Sequence, residues 1–437
     1  MFRNSPTHIN ISFSRGWLVT FSAGFMGFCI GVLYVWSVIK AGIPDSWGWS
    51  NSDKALPYSV MCVMFAAVMI PAGRFQDRYG PRWAIVIGGF LTGLGCIIAG
   101  LGGKSTLAYV IGYGIITGGG AGLNYAALTP AAVKWFPHHR SGAIVGIVVG
   151  GFGLAPLLHA PLIAWLLNIF ATQTPEGVVE KGVSHAMIWL GLLIWGAVGL
   201  LFPLITNPPI GFTVPADQSM PIRIQGQEMD WKQMLAHIQF WLLFIMFFAG
   251  ASAGLVFISV ATDIGKRALG EWAFVAVVGL AAGSTSGRVL AGFISDRIGR
   301  QWTLFGEFVF QAVMIAGLYW LSHHGGAWPA VLLVLFMIGF NYGANLTLFP
   351  SACKDFFGMR NFGHNYGWLI TAFGLAGLIM PWITGRIKDV TGSLDYSYIV
   401  IIGLMGVAAI LALVSQYLNS RQQRLKKAGC HGNYRDL

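Results

Sequence analysis

The chain has 437 residues, of which 55% are hydrophobic and only 10% charged, with a mean hydropathy of +0.66 and a formal net charge of +11. A soluble protein carries ~25% charged residues, so this composition excludes an ordinary soluble fold and predicts a multi-pass membrane protein. The positive balance does not indicate nucleic-acid binding, because the basic residues lie in short loops and no aromatic-basic module or zinc-ligand spacing accompanies them.

Twelve apolar runs are long enough to cross a membrane as helices. Six precede a polar segment and six follow it, which predicts an all-α fold of two six-helix bundles. The first six runs are at about 17–40, 54–73, 83–102, 107–133, 141–167 and 184–205. The second six are at about 237–262, 272–292, 301–321, 328–353, 365–386 and 397–418. We therefore divide the chain into a first bundle, a linker, a second bundle and a basic tail, at 1–205, 206–236, 237–420 and 421–437.

The distribution of Lys and Arg predicts the orientation in the membrane. The side that carries both termini, the linker and the tail has 18 basic residues, the opposite side has 8, and the remaining one is Arg288. Both termini are therefore predicted to lie in the cytoplasm, in a cell membrane (bacterial inner or plasma membrane). No cleavable signal is expected, because the first run, from Trp17, is too long and lacks a small-residue cleavage site.

Neither the cysteines nor the short motifs indicate a cofactor, a metal or an enzyme. No Cys-x-x-Cys spacing occurs among the five cysteines, which are Cys29, Cys62, Cys96, Cys353 and Cys430. We expect these cysteines to serve as small apolar side chains that form no disulfide and bind no metal. GGKST at 102–106 resembles the end of a phosphate loop, but Ile98 stands where its first glycine is required. No other nucleotide motif or catalytic constellation is found, so transport driven by gradients is expected.

Three segments of the first half recur in the second half in the same order. They are GRFQDRYGPR at 73–82 with GFISDRIGR at 292–300, TPAAVKWFPHHR at 129–140 with FPSACKDFFGMR at 349–360, and FGLA at 152–155 and 373–376. The offset drifts only from 219 to 221. This predicts two halves related by an axis along the membrane normal, with a substrate site between them at the midplane.

Arg288 is a single charge inside the eighth apolar run, with no charged neighbour for seven residues on either side. A charged turn is predicted to begin at Asp296, which at ~1.5 Å per residue lies roughly 12 Å away, near the midplane of a ~30 Å hydrocarbon core. A cation there costs ~2.5–3.5 kcal/mol on insertion scales. We therefore predict that Arg288 binds an anion. The alternative is a structural arginine bound to backbone carbonyls.

Comparison of the halves separates shared architecture from candidate function. The counterpart of Arg288 is Met69 or Val68, so the repeat does not require a charge there. Four charged residues occur in both halves and are predicted to have structural or gating roles by bridging helix ends: Asp77, Arg78, Asp296 and Arg297. Asn345 is the counterpart of Tyr125, and Phe373 of Phe152. These residues are candidates to line a cavity, and helix packing is the alternative.

Two titratable residues are candidates for proton coupling. Glu307 lies seven residues past Arg300, roughly 10 Å into the membrane. The alternative for this carboxyl group is that it is protonated, or hydrogen-bonded to Gln311 on the same helix face. His159 lies between two prolines in the fifth run and is of a type that titrates near neutral pH. Core packing is the alternative for His159.

The six-plus-six pattern, the long linker and the G-x-x-x-D-R-x-G-[R/P] turn after the second and eighth runs resemble the major facilitator superfamily. Five motifs resemble its oxalate:formate antiporter and bacterial monocarboxylate transporter branch: RGW at 15–17, GVLYVW at 31–36, SGR at 286–288, LFPS at 348–351 and NYGW at 365–368. The resemblance implies that Arg288 binds the substrate carboxylate and that Tyr34 and Tyr125 line the cavity. Phe152 and Tyr342 stand where the antiporter also has cavity aromatics.

The chain departs from the family pattern at two positions. Phe373 stands where the oxalate transporter has a lysine, which argues against a divalent substrate. Ser284 stands where proton-coupled carriers of animal type have an aspartate, which leaves the proton-coupling residue unassigned.

We predict a monomeric secondary transporter that moves a small monocarboxylate, of the lactate, pyruvate or formate class, by alternating access with a proton. The closest alternative is an anion exchanger of oxalate and formate type. A membrane anion sensor that signals through its loops or tail without transport is a third possibility. Drug efflux is weaker, because it usually requires a cavity carboxylate and only Glu307 offers one. The expected partners are the anion, protons and membrane lipid, with no nucleic acid.

Overall fold

The structure, a computed structural model, describes residues 6–136, 141–173, 179–209, 212, 228–325, 327–358 and 361–432. Most of the predicted linker, the last five residues of the tail and the side chain of Asp77 lie outside this part. Among the described residues, twelve helical spans are long and apolar enough to cross a membrane, which confirms the predicted all-α fold. We number them span 1 to span 12.

The first half contains spans 1 to 6. Their helices are Pro6–Ile30 and Trp36–Gly42 (span 1), Asn51–Tyr79 (span 2), Pro81–Leu101 (span 3), Thr106–Tyr109 and Gly118–Val133 (span 4), Ser141–Leu154 and Pro156–Ile169 (span 5) and Val183–Leu201 (span 6). A 3₁₀ turn, Val32–Val35, joins the two parts of span 1, and a π-helical segment, Val110–Thr117, joins those of span 4. Two short antiparallel strands, Thr172–Gln173 and Val179–Glu180, connect spans 5 and 6.

The second half contains spans 7 to 12, preceded by a short linker helix, Trp231–Ala236. Its helices are Ile238–Leu269 (span 7), Phe274–Ile298 (span 8), Arg300–His324 (span 9), Trp328–Phe357 (span 10), Phe362–Leu369 and Thr371–Thr391 (span 11) and Asp395–Gly432 (span 12). Because the number of spans is even, span 1 begins and span 12 ends on the same side. We call this side the terminal face and the opposite side the far face.

The charged turns are shorter than predicted. Spans 2 and 8 continue to Tyr79 and Ile298, and each turn is a single glycine with positive φ, Gly80 (86°) and Gly299 (93°). Asp296 therefore lies within the helix, and the expectation that the turn begins there was wrong. Glycine is required at each turn because the chain reverses at one residue with positive φ, a conformation that a Cβ disfavours. Arg288 is eleven residues from Gly299, roughly 16 Å along the helix, which keeps it at the midplane.

Spans 1 and 5 pack backbone against backbone around two helix breaks. A Cβ at Gly151 would lie 2.0 Å from the carbonyl oxygen of Gly24, and a Cβ at Gly31 would lie 2.4 Å from the Cβ of Ala155. Span 5 breaks at Ala155 because the next residue, Pro156, has no N–H to donate. This close approach brings Tyr34 of span 1 and Phe152 of span 5 into ring contact.

Spans 8 and 10 are joined in a similar way in the second half. A Cβ at Gly287 would lie 1.9 Å from the carbonyl oxygen of Phe340, and a Cβ at Gly343 would lie 1.8 Å from that of Ser284. Glycines at these positions let the two backbones touch, as is common in membrane helix pairs. The contact fixes the position of the backbone next to Arg288, whose carbonyl oxygen accepts a hydrogen bond from Thr347.

The two halves meet mainly through spans 2 and 11 and through spans 5 and 8. In the described part of the chain, hydrogen bonds and ion pairs between the halves occur at Arg288 and at the far face. Examples at the far face are the Lys40–Asp263 ion pair and the hydrogen bonds from Asn51 and Ser52 to Asp389. The far face is therefore closed in this structure.

Candidate substrate site

Arg288 connects the second half to the first half. Its Nη1 donates a hydrogen bond to the backbone carbonyl of Val149 in span 5 (2.6 Å). Its Nη2 donates to the hydroxyl oxygen of Tyr34 in span 1 (3.0 Å). The residue is only 8% exposed. The sequence-based alternative of a carbonyl-bound arginine is thus realised for one nitrogen of the guanidinium.

The guanidinium is not fully satisfied by these contacts. Nε is buried and has no hydrogen-bond partner. No ion pair joins Arg288 to a carboxylate within the described ranges. A guanidinium has five N–H donors and stays charged at any physiological pH. The site therefore holds an uncompensated positive charge with donors available for an anion.

Gly153 provides the space that the guanidinium occupies. A Cβ at this position would lie 3.1 Å from Nη1 and 3.2 Å from Cζ of Arg288, and 2.9 Å from Oγ1 of Thr285. All three distances are shorter than ordinary van der Waals contacts. Gly153 is one helical turn from Val149, so the same face of span 5 supplies both the acceptor and the space.

Six aromatic rings form a closed circuit beside Arg288. Adjacent ring centroids are separated by 5.9 Å (Tyr34–Phe152), 5.1 Å (Phe152–Tyr125), 5.4 Å (Tyr125–Phe65), 6.3 Å (Phe65–Phe373), 6.5 Å (Phe373–Tyr342) and 6.3 Å (Tyr342–Tyr34). We call this set the ring circuit. The rings come from spans 1, 2, 4, 5, 10 and 11, so both halves contribute. All lie within the distance range of favourable aromatic pairs.

Two tyrosine hydroxyl groups in or beside the ring circuit are buried without a hydrogen-bond partner among the described residues. They belong to Tyr342, in the ring circuit, and to Tyr58, in span 2. The hydroxyl of Tyr342 is close to that of Tyr34 without forming a hydrogen bond of good geometry. Leaving a buried donor unpaired costs ~1–3 kcal/mol, so such groups usually have a ligand or a water as partner.

No described contact joins Asn345 to Arg288 or to the ring circuit. Its Nδ2 donates to the carbonyl of Asn341 (3.0 Å), and its side chain packs on Gly250 of span 7, where a Cβ would lie 2.9 Å from Nδ2. Tyr342, one turn earlier on the same helix, takes the position in the ring circuit. The structure therefore brings together Arg288 and the five predicted aromatic residues and places Asn345 beside span 7.

The two candidate proton carriers lie away from the ring circuit. Oε2 of Glu307 is buried without a partner, and so are both amide atoms of Gln311. The alternative in which Gln311 hydrogen-bonds Glu307 was therefore wrong for this structure. Nδ1 of His159 hydrogen-bonds the carbonyl of Ala155 at the break in span 5 (3.0 Å), as expected for a histidine in a packed core.

The predicted bridge between helix ends forms through a different arginine. Arg300 pairs with Asp296 (2.6 Å) and with Asp355 at the end of span 10 (3.2 Å). Arg297 is exposed, and no ion pair is recorded for it in the described part of the molecule. In the first half, the guanidinium of Arg78 lies 5.3 Å from the ring centroid of Tyr79.

Sequence reasoning missed Phe65, Tyr58, Gly153 and Tyr366. Tyr366 lies within electrostatic range of Arg288 and Tyr125. Phe65 had a usable signal, because its counterpart at offset 219 is Ser284, one turn before Arg288 on the same helix face. Gly153 and Tyr366 lie in the FGLA and NYGW motifs, which did not by themselves indicate a role, and Tyr58 had no signal.

Comparison with known proteins agrees with the fold and the predicted resemblance. The sequence profile of the Major Facilitator Superfamily matches residues 16–381 and 276–429. The oxalate:formate antiporter of Oxalobacter formigenes is 29% identical over 352 residues, covering 80% of this chain and 79% of the relative. Monocarboxylate transporter 11 of Mus musculus is 23% identical, covering 88% of this chain and 84% of the relative.

A solved structure shares the architecture. It is a bacterial homologue of the human lysosomal transporter Spinster in an inward-facing, occupied conformation, with a TM-score of 0.70 and 13% identity, covering 95% of this chain and 98% of that chain. At this identity the similarity establishes the fold alone. The family consists of transporters and not of enzymes. The chain belongs to the Major Facilitator Superfamily.

Proposed function

We propose that this protein transports a small organic monocarboxylate across the membrane by alternating access, with Arg288 holding the carboxylate. The observation that carries the proposal is a buried midplane guanidinium with an open Nε and no described carboxylate partner. The names of two relatives support the substrate class, since one exchanges oxalate and formate and another is a monocarboxylate transporter.

The carboxylate fits the donors that the site leaves open. One oxygen accepts from Nε of Arg288, and the other accepts from the hydroxyl of Tyr342, which is otherwise unpartnered. Tyr34 accepts a hydrogen bond from Nη2, so its own O–H remains available to donate. Charge-assisted hydrogen bonds of this kind are about twice as strong as neutral ones. The ring circuit supplies apolar walls for the rest of a small substrate.

A single negative charge is favoured by the charge balance of the site. Among the described residues, Arg288, its hydrogen-bond partners and the ring circuit together contain one cation, which is Arg288 itself. A dicarboxylate would place its second charge beside Phe373 or another apolar ring, without a partner. Burying an unpaired charge is expensive, so a divalent anion binds more weakly.

Occupancy and movement are coupled through Arg288. It belongs to span 8 of the second half, whereas both of its side-chain hydrogen bonds go to the first half. When the site is empty, separating the halves exposes Arg288, whose hydrogen-bond donors are only partly satisfied, to a low-dielectric layer. When the carboxylate is bound, the pair is neutral and carries its own hydrogen bonds, so separation costs less.

The termini and the linker lie on the cytoplasmic side in this proposal, following the excess of basic residues there. The far face, which is closed in this structure, is then the outer side. Transport is coupled to a proton, and Glu307 and His159 are the candidate carriers. Uptake driven by an inward proton gradient, abolished by a protonophore, tests this coupling in proteoliposomes.

Binding and counterflow test the proposed function directly. Lactate, pyruvate, formate and oxalate are compared by thermal shift in detergent, with wild type beside Arg288→Gln and the exposed-site control Arg386→Gln. We expect a monocarboxylate to stabilise wild type and the control and not Arg288→Gln. Counterflow of the same anion in proteoliposomes should likewise occur with wild type and the control and not with Arg288→Gln. Retained counterflow in Arg288→Gln would contradict the proposal.

An anion exchanger is the second candidate, favoured by the antiporter among the relatives. Stabilisation by oxalate above every monocarboxylate, with uptake that requires a counter-anion inside the vesicle, would establish it. A non-transporting sensor would bind an anion without counterflow.

A further inference from the structure

A vestibule of about 730 Å³ lies at the far face, outside the ring circuit. Five lysines line it: Lys40, Lys54, Lys181, Lys266 and Lys388. Three carboxylates, of Asp45, Glu180 and Asp263, line it as well. The balance is two positive charges in excess, in a cavity with protein walls on several sides. Such a cavity focuses its field and concentrates small anions.

Within the part of the chain that the structure describes, no ion pair joins Lys181 or Lys266 to a carboxylate. Lys266 donates to the backbone carbonyl of Ala41 (2.9 Å), and Lys181 donates to the amide oxygen of Asn168. Lys54 pairs with Asp45, whose side chain is fully exposed, at 3.4 Å. An ion pair this exposed contributes little. These ammonium groups therefore attract a mobile anion that enters the vestibule.

Lys40 forms the buried floor of the vestibule. Its side chain is 7% exposed, and its Nζ contacts Oδ2 of Asp263 at 3.3 Å and the carbonyl of Ser259 at 3.3 Å. Nζ of Lys388 contacts the same Oδ2 at 3.3 Å. Two ammonium groups thus share one carboxylate oxygen, which leaves one positive charge uncompensated. All three contacts are longer than the ~2.7–2.9 Å of a strong charge-assisted hydrogen bond.

The three residues connect the two halves. Lys40 ends span 1, Asp263 lies in span 7 and Lys388 lies in span 11. The Lys40–Asp263 contact is therefore an ion pair between halves, and the Lys388–Asp263 contact lies within the second half. Opening the far face separates Lys40 from Asp263 and leaves a largely buried ammonium without a counter-ion. That state is costly unless another anion takes the place of Asp263.

We propose that the vestibule is a second anion-binding site, in which a small carboxylate replaces Asp263 as the partner of Lys40 and thereby opens the far face. The incoming carboxylate compensates the one excess positive charge: Lys40 pairs with it, and Asp263 keeps Lys388. The identity of the anion as a carboxylate rests on the proposed function. The location and the partner exchange rest on the vestibule itself.

The accessibility of a cysteine at position 37 measures how far the far face opens. Ser37 is buried, three residues before Lys40, and accepts a hydrogen bond from Thr262 of span 7 (3.1 Å). Ser37→Cys is placed in the full-length chain with the five native cysteines replaced and is labelled in nanodiscs with an impermeant maleimide. Lactate, or chloride at equal ionic strength, is added as the probe.

We expect lactate to raise the labelling rate about tenfold, the factor that a hydrogen bond to a charged group contributes at the lower end of its range. Lys40→Gln should remove the lactate effect. The matched control Lys104→Gln, which removes an exposed lysine outside the vestibule, should retain it. Asp263→Asn should label rapidly without any anion, because the contact between halves is already weakened.

Arg288→Gln separates this proposal from the proposed function. We expect it to lose counterflow and to keep the lactate effect on Ser37→Cys labelling. Loss of both would mean that lactate acts at Arg288, which would overturn the vestibule site. Equal effects of chloride and lactate, or slow labelling of Asp263→Asn, would also overturn it.

Discussion

Gly153 and Arg288 are in direct contact across the two halves, and the absence of a side chain at 153 is what makes room for the guanidinium. A Cβ there would lie 3.1 Å from Nη1 and 3.2 Å from Cζ. Position 153 therefore determines whether Arg288 reaches the carbonyl of Val149.

Gly153→Ala is expected to weaken substrate binding without unfolding the protein. The added methyl group pushes the guanidinium a few tenths of an ångström from its hydrogen-bonded position, at an overpacking cost of ~1–3 kcal/mol. Affinity for the monocarboxylate should fall about tenfold or more, since 1.4 kcal/mol is a factor of ten. The control is Gly146→Ala, on the same helix, where a Cβ meets nothing within 4 Å. Equal binding by both variants in a thermal-shift titration would contradict this role.

Tyr34→Phe removes the acceptor of Nη2 and a donor for the carboxylate. A hydrogen bond to a charged group is worth ~1.5–3 kcal/mol, so binding should weaken by about tenfold or more. The melting temperature of the empty protein should fall as well, because Arg288 loses one of its two described partners. Tyr396→Phe, at an exposed position, serves as the control. Unchanged affinity would remove Tyr34 from the site.

Phe373→Lys is expected to change the preferred charge of the substrate. The ring of Phe373 lies 6.3 Å from that of Phe65 and 6.5 Å from that of Tyr342, so an ammonium group there joins the ring circuit. The site would then hold two cations, and oxalate should stabilise the variant more than lactate does. Phe373→Met keeps the site apolar and should keep the monocarboxylate preference. A folded lysine variant that still favours lactate would contradict the proposal that the number of cations in the site determines the preferred charge of the substrate.

Asp389→Ala is expected to loosen the far face. The carboxylate of Asp389 accepts hydrogen bonds from the backbone N–H groups of Asn51 (2.6 Å) and Ser52 (2.9 Å) at the start of span 2, across the boundary between halves. Loss of a helix cap costs ~1 kcal/mol, which corresponds to an about fivefold increase in far-face opening. The labelling rate of Ser37→Cys measures this change. Glu271→Ala, which removes an exposed carboxylate at the far face outside the vestibule, should leave the rate unchanged.

The number of spans and the position of a single buried cation, Arg288, were predictable from the sequence. A helix in lipid must be apolar over its whole length, so each span leaves a strong signal. Arg288 was visible for the same reason, because a single charge inside such a run is costly and needs a cause. The helix ends were less predictable: the charged residues at 296 and 297 continue span 8, and only Gly299 stops it.

Phe65 and the far-face contacts were not predictable to the same degree. Hydropathy does not single out Phe65, because a phenylalanine in an apolar run gives the same signal whether it faces lipid, a neighbouring helix or a binding site, and only its repeat counterpart Ser284 indicated its position. Lys40, Asp263 and Lys388 lie at span ends that are far apart in the chain, where charged residues are ordinary. Their contact depends on the packing of spans 1, 7 and 11, which neither hydropathy nor the internal repeat specifies.

The ring circuit has an electrical consequence. The six rings lie in mutual contact beside Arg288, and we expect the membrane voltage to fall mainly across such a layer of low polarity. One elementary charge moved through the full voltage is worth ~2.3 kcal/mol per 100 mV. In the proposed function, the empty carrier moves with the charge of Arg288, a carrier loaded with the anion alone moves with a neutral pair, and a co-transported proton restores one positive charge. Voltage should therefore change the rate of the empty return step and of a step loaded with anion and proton, and leave a step loaded with the anion alone unaffected, so that voltage-independent exchange would identify transport without a proton.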